Sequence, residues 1–121
     1  MGYEGIFATS DAILIKAGVS VNPEVITEAR MNELNGEVES YINSITRNDW
    51  STDFPALTSA GKLILSDLAS NLVAIYMIQY SMSSYNSEDE AKGMIKTLQE
   101  RADKVILLLQ DQKVKTFMKG L

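Results

Sequence analysis

The chain is expected to be all-α: a small helical bundle of three long helices and one short N-terminal helix, with a flexible N-terminal arm and C-terminal tail. Three observations predict this. Apolar residues recur at steps of three and four over long stretches, the period of a helix with one buried face. No alternation of apolar and polar residues runs beyond about five positions, so no strand is signalled. The stretch Leu63–Met82 is apolar around most of a helix, with no charged residue between Asp67 and Glu88. Such a helix must be covered on most sides. Asp67, Ser70, Asn71, Gln79 and Ser81 interrupt what a bilayer span would need, about 20 predominantly apolar residues. It therefore reads as the central helix of one soluble domain over residues 1–121.

The elements follow in order. Residues 1–8 are glycine-flanked and without period, and read as an extended arm. Thr9 or Ser10 caps a short helix through Ala17, with Ile13 and Leu14 inward and Gly18 closing it. Asn22-Pro23 is a helix start, since Asn accepts hydrogen bonds from free amides and Pro in the first turn loses none. The helix from there to about Arg47 buries Ile26, Ala29, Leu34, Val38, Tyr41, Ile42 and Ile45. Gly36 inside it marks a kink or a close approach by another helix. Asn48–Thr58 reads as a loop carrying Trp50, Phe54 and Pro55. Its aromatics either fold back as a lid over the helix ends or serve as contact anchors, a role in which Trp is enriched. Thr58 or Ser59 opens the central helix, which frays near Ser81–Ser87. Ser87 with Glu90 is a capping box for the last long helix. That helix buries Ala91, Met94, Ile95, Leu98, Ala102, Val105, Ile106 and Leu109, and from Ser87 to Gln112 would span about 39 Å, long enough to project. The tail Lys113–Leu121 is basic and apolar together, and reads either as a last turn on the core or as an extended docking segment.

Composition narrows the chemistry. There is no cysteine and no histidine, which removes thiol nucleophiles, imidazole bases and the usual zinc and iron–sulfur ligand sets. No phosphate-binding glycine loop, nucleophile elbow or metalloprotease motif is present. Glu88, Asp89 and Glu90 suit the start of a helix dipole better than a metal or acid–base site. The expectation is a protein that is not an enzyme and holds no cofactor and no metal. The start MGYEGIF lacks the basic and long apolar regions of a signal peptide, and Ile6 stands where myristoylation needs Ser or Thr. Residues 1–60 carry nine acids against three bases, or −6, while residues 61–121 carry seven acids against eight bases, or +1. The acidic half disfavours nucleic-acid binding, and Glu24, Glu28 and Glu33 would repel phosphate from a recognition helix after Asn22. A divided charge suits head-to-tail contact between copies, an acidic face meeting the Lys-rich end of a neighbour.

Several patterns together resemble a known family. They are the short helix closed by AGVS, Tyr41–Trp50 reading YINSITRNDW, Ala74–Tyr80 reading AIYMIQY, and the helix from Ser87 ending in ILLLQDQKV. Over about Thr9–Phe117 the layout resembles the head–tail connector (adaptor, or head-completion) proteins of tailed bacteriophages. The resemblance implies a structural ring, matched to a dodecameric portal protein, that extends the DNA channel and offers a platform to the next neck or tail protein. It implies a virion location, with the host cytoplasm before assembly, DNA passing without specific binding, and no membrane. Carried over, Lys113, Lys115, Phe117, Met118 and Leu121 become portal-docking candidates. Tyr3, Phe7, Trp50, Phe54, Tyr76 and Tyr80 become inter-subunit candidates. Deleting Lys113–Leu121 is expected to abolish attachment with helical content intact, and Trp50→Ala to harm assembly more than melting temperature. The alternative is a free-standing helical interaction or regulatory module.

Overall fold

The computed structural model describes residues 3, 5–18, 27–80 and 88–120. All regular structure among them is helical: α1 (Ser10–Ala17), α2 (Glu28–Thr46), α3 (Trp50–Asp53), a 3₁₀ turn (Phe54–Ala56), α4 (Ser59–Tyr80), α5 (Glu88–Leu109) and α6 (Gln112–Met118). The chain is all-helical as expected, but with six α-helices among the described residues, the short α3 and α6 included.

Helix α4 is the centre, and α1, α2, α5 and α6 all pack against it. It is long and apolar enough to cross a bilayer by length and composition, yet 67% of that stretch is buried inside the protein. Leu65, Leu68, Ala69, Val73, Met77 and Ile78 have no access to solvent to speak of. Thr58 caps it, its Oγ1 accepting the Gly61 N–H at 3.0 Å.

Helix α1 is capped as expected by Thr9, whose Oγ1 accepts the Ala12 N–H at 3.1 Å. Gly18 ends it at φ +86°, a conformation that favours glycine. Ile13 and Ala17, one turn apart, are buried, whereas Leu14 faces outward. In so short a helix one face points inward, and the residue after Ile13 is rotated about 100° away from it.

Helix α2 does not run from Pro23. Thr27 has extended backbone, φ −85° and ψ 165°, and its Oγ1 accepts the Arg30 N–H, so the helix begins at Glu28. Asn22, Pro23 and Ile26 lie outside the described residues. Met31, Leu34, Val38 and Ile42 form the buried stripe, while Ala29 and Tyr41 point outward. A Cβ on Gly36 would meet nothing within 4 Å, so no helix among the described residues approaches there. Arg47 ends α2 in the left-handed region at φ 55°, its N–H reaching the Asn43 and Ser44 carbonyls.

The stretch expected as a loop, Asn48–Thr58, is a helical corner. Asp49 caps α3 by accepting the Thr52 N–H at 3.2 Å, and Asn43 of α2 accepts the Trp50 N–H at 3.0 Å and donates to Ser51 Oγ at 2.9 Å. The expected free arm is fastened over its last residues: Glu39 Oε2 accepts the Ile6 N–H at 2.7 Å, and Phe7 is buried with its ring centroid 5.6 Å from that of Phe54.

Helix α5 stops at Leu109, short of Gln112. Asp111 then caps α6, accepting the Lys113 N–H at 2.8 Å, and the chain turns back onto the core in place of projecting. The tail is thus a helix on α4 and α5 through Met118. Thr58 N–H donates to Met118 O at 2.9 Å, and a Cβ on Gly61 would lie 3.0 Å from that same carbonyl. The proposed capping Ser87 and the segment Ser81–Ser87 lie outside the described residues.

Candidate functional site

The corner and α6 divide the sequence-derived contact residues into those turned inward and those left outside. Trp50 has 0% of its surface exposed. Its Nε1–H donates to Thr46 Oγ1 at 3.0 Å, and that hydroxyl donates to Ile42 O at 2.6 Å. The lid reading therefore describes Trp50, and the chain leaves it no surface to offer a neighbour. Phe7 is buried likewise, and Phe54 is half-buried against it. Tyr3 is half-buried, its hydroxyl donating to Ala8 O. Burial pushes the phenol above its ordinary pKa; a hydrogen bond with Asn35 opposes this and the Glu39 charge adds to it. Tyr76 is exposed, and the Tyr80 side chain lies outside what is described.

On α6 the alternation is sharper. Met118 is fully buried. Lys115 is buried too, its ammonium donating to Thr46 O, at the C-terminal end of α2 where the carbonyl dipoles favour a cation. Lys119 lies 3.7 Å from Asp53 Oδ2 and 5.7 Å from the centroid of the Trp50 ring. Two of the three tail lysines are thereby engaged within the chain. Lys113 and Phe117, one turn apart, remain on the outer face, Phe117 with 59% of its surface exposed. Leu121 lies outside the described residues.

Leu107 and Leu108, just before the turn into α6, are also exposed. Three leucines in a row, Leu107 to Leu109, cannot all face one side of a helix; the core takes Leu109 and the heptad-like spacing pointed to that residue alone. Asking where the other two go would have found them. Leu63 on α4 and Ile15 on α1 are exposed as well, because the helices around α4 do not enclose it completely.

A second candidate is a groove of about 570 Å³ between α1 and α5, lined by Ile15, Lys16, Glu90, Met94, Leu98 and Arg101 among others. Lys16 is committed to α4, with its Nζ 2.7 Å from Asp67 Oδ1. Among the described residues no group of three or more acidic side chains is arranged to hold a metal ion, and Glu88 pairs with Lys92 at 3.3 Å along α5. Compared with models of protein families, with curated proteins and with solved structures, the chain matches none.

Proposed function

We propose that the chain is a non-enzymatic assembly protein, a head–tail connector of a tailed virus that forms a ring beneath the portal, extends the DNA channel and carries the next neck or tail protein. The observation that carries this reading is the outer face of α6. Lys113 and Phe117 stand exposed one turn apart, close in the chain to exposed Leu107 and Leu108. A large apolar side chain beside a cation, on a short helix anchored by its opposite face, suits a docking surface better than a solvated one. The portal-docking set is accordingly Lys113 and Phe117. Lys115 and Met118 act beneath them by holding α6 in place. The acidic N-terminal half suits a channel wall past which DNA slides.

Co-sedimentation with portal rings tests the reading. The doubly substituted chain, Lys113→Glu with Phe117→Ala, should lose at least about tenfold in affinity, since hot-spot side chains carry most interface energy, with an unchanged melting temperature. Wild-type binding by that variant would remove the docking role from α6. The second reading, a free-standing interaction module, is favoured by the groove beside α5. Absence of portal binding by the folded wild-type chain would select it.

A further inference from the structure

We propose that the groove between α1 and α5 receives the acidic outer face of α2 from a second copy of this chain, so that copies join head to tail. The groove floor is apolar: Met94 and Leu98 line it, and Ile15 stands over it with 79% of its surface exposed. Of its two cations, Lys16 is held by Asp67, whereas Arg101 is exposed with no ion-pair partner among the described residues. An apolar slot ending in an uncompensated guanidinium fits a helix that presents an aromatic side chain and carboxylates on one stripe.

Helix α2 presents such a stripe. Glu33, Glu37 and Tyr41 follow at four-residue steps, all exposed, and so share one face. Gly36 lies beside them with open space where a Cβ would be, and Gly93 on the groove side is equally open, which lets two backbones approach. The stripe from Glu33 to Tyr41 and the groove edge from Gly93 to Arg101 each rise about 12 Å. Charge sets the direction. Glu90 sits at the Gly93 end, so the carboxylate end of the stripe meets Arg101 and Tyr41 meets Gly93 and Met94, with the two helices antiparallel. No α2 residue lines the groove; the two faces are distinct, and the contact can repeat from copy to copy until it closes. The division of charge between −6 and +1 halves favours the same pairing. The basic partner is thus Arg101 on α5, not the lysines of the tail. This deepens the connector reading, on which only closure into a ring depends.

Sedimentation equilibrium of the full chain, from micromolar to millimolar concentration and at low and high salt, tests it without a portal. The wild-type chain should self-associate, more weakly as salt rises. Arg101→Glu and Glu37→Lys should each weaken association at least about tenfold, as expected for a reversed charge in a contact, with circular-dichroism melting unchanged. Mixed, the two variants should associate again, because each keeps the face the other has lost and the two altered faces are opposite in charge. A wild-type chain that stays monomeric throughout, association of Arg101→Glu at wild-type strength, or a mixture that stays monomeric would each overturn the proposal. Lost self-association with intact portal binding confirms that the two surfaces are separate. Lost portal binding with intact self-association counts against the connector reading alone.

Discussion

Trp50 and the residues that close around it show how much of this chain rests on single side chains. The indole is buried beside the end of α2, its N–H passes a hydrogen bond through Thr46 Oγ1 to Ile42 O, and Lys119 covers its face. Trp50→Ala would leave a buried cavity and should cost about 3–5 kcal/mol, lowering the melting temperature by roughly 10–20 °C in a thermal melt. Harm to assembly would then follow from instability, the reverse of what the residue type alone suggested. Asp49, next to it, acts through charge. Its hydrogen bonds from the Thr52 hydroxyl and amide hold its carboxyl below the usual carboxylate pKa. A group whose folded pKa is lowered stabilises the fold above its unfolded pKa and loses that contribution as pH falls through the folded one. Asp49→Asn keeps a capping oxygen without the charge. Thermal melts at a series of pH values should therefore show the wild-type advantage over Asp49→Asn at neutral pH shrinking as acid titrates Asp49. A constant difference would mean that the capping charge contributes nothing.

Helices differ in how far their own residues define them. α1, α4 and α5 were legible because their apolar spacing repeats, with caps at Thr9 and Thr58 agreeing for the first two. α3, the 3₁₀ turn and α6 were not, because segments of four, three and seven residues are too short to show a period. What makes α3 and α6 helical is capping by Asp49 and Asp111 together with burial of Trp50, Lys115 and Met118. The start of α2 was misplaced because Asn22-Pro23 and Thr27-Glu28 both carry helix-start chemistry, and the extended backbone at Thr27 selects the second. The consequence for α6 is testable. Deleting residues 113–121 removes Met118 from the core and the hydrogen bonds at Thr58 N–H and Thr46 O. Losing one buried side chain and those bonds should cost about 2–5 kcal/mol. Thermal and chemical melts of the deleted chain should show a lower midpoint and reduced helical signal, where the composition of the tail alone predicted intact helicity. An unchanged midpoint would show that α6 is dispensable to the fold.

For the whole molecule, the amino-acid sequence by itself determined the helical class, the identity of the central helix and the charge division. These follow from local quantities: the spacing of apolar residues, the run without charge from Leu68 to Ser87, and the caps at Thr9 and Thr58. It also named Trp50, Phe7, Met118, Lys115, Phe117 and Lys113 as contact candidates without saying which of them the core would claim, and it passed over Ile15, Leu107 and Leu108. Only the tertiary structure decided that. Trp50, Phe7, Met118 and Lys115 went inward, and Phe117, Lys113, Ile15, Leu107 and Leu108 stayed out. The groove beside α5 belongs to the same category, since Ile15 and Arg101 are far apart in the chain and line one groove only because α1 and α5 both pack on α4. The physical reason is one of range. A helix forms from neighbours three and four residues apart, whereas the exposure of a side chain depends on which distant segment happens to cover it.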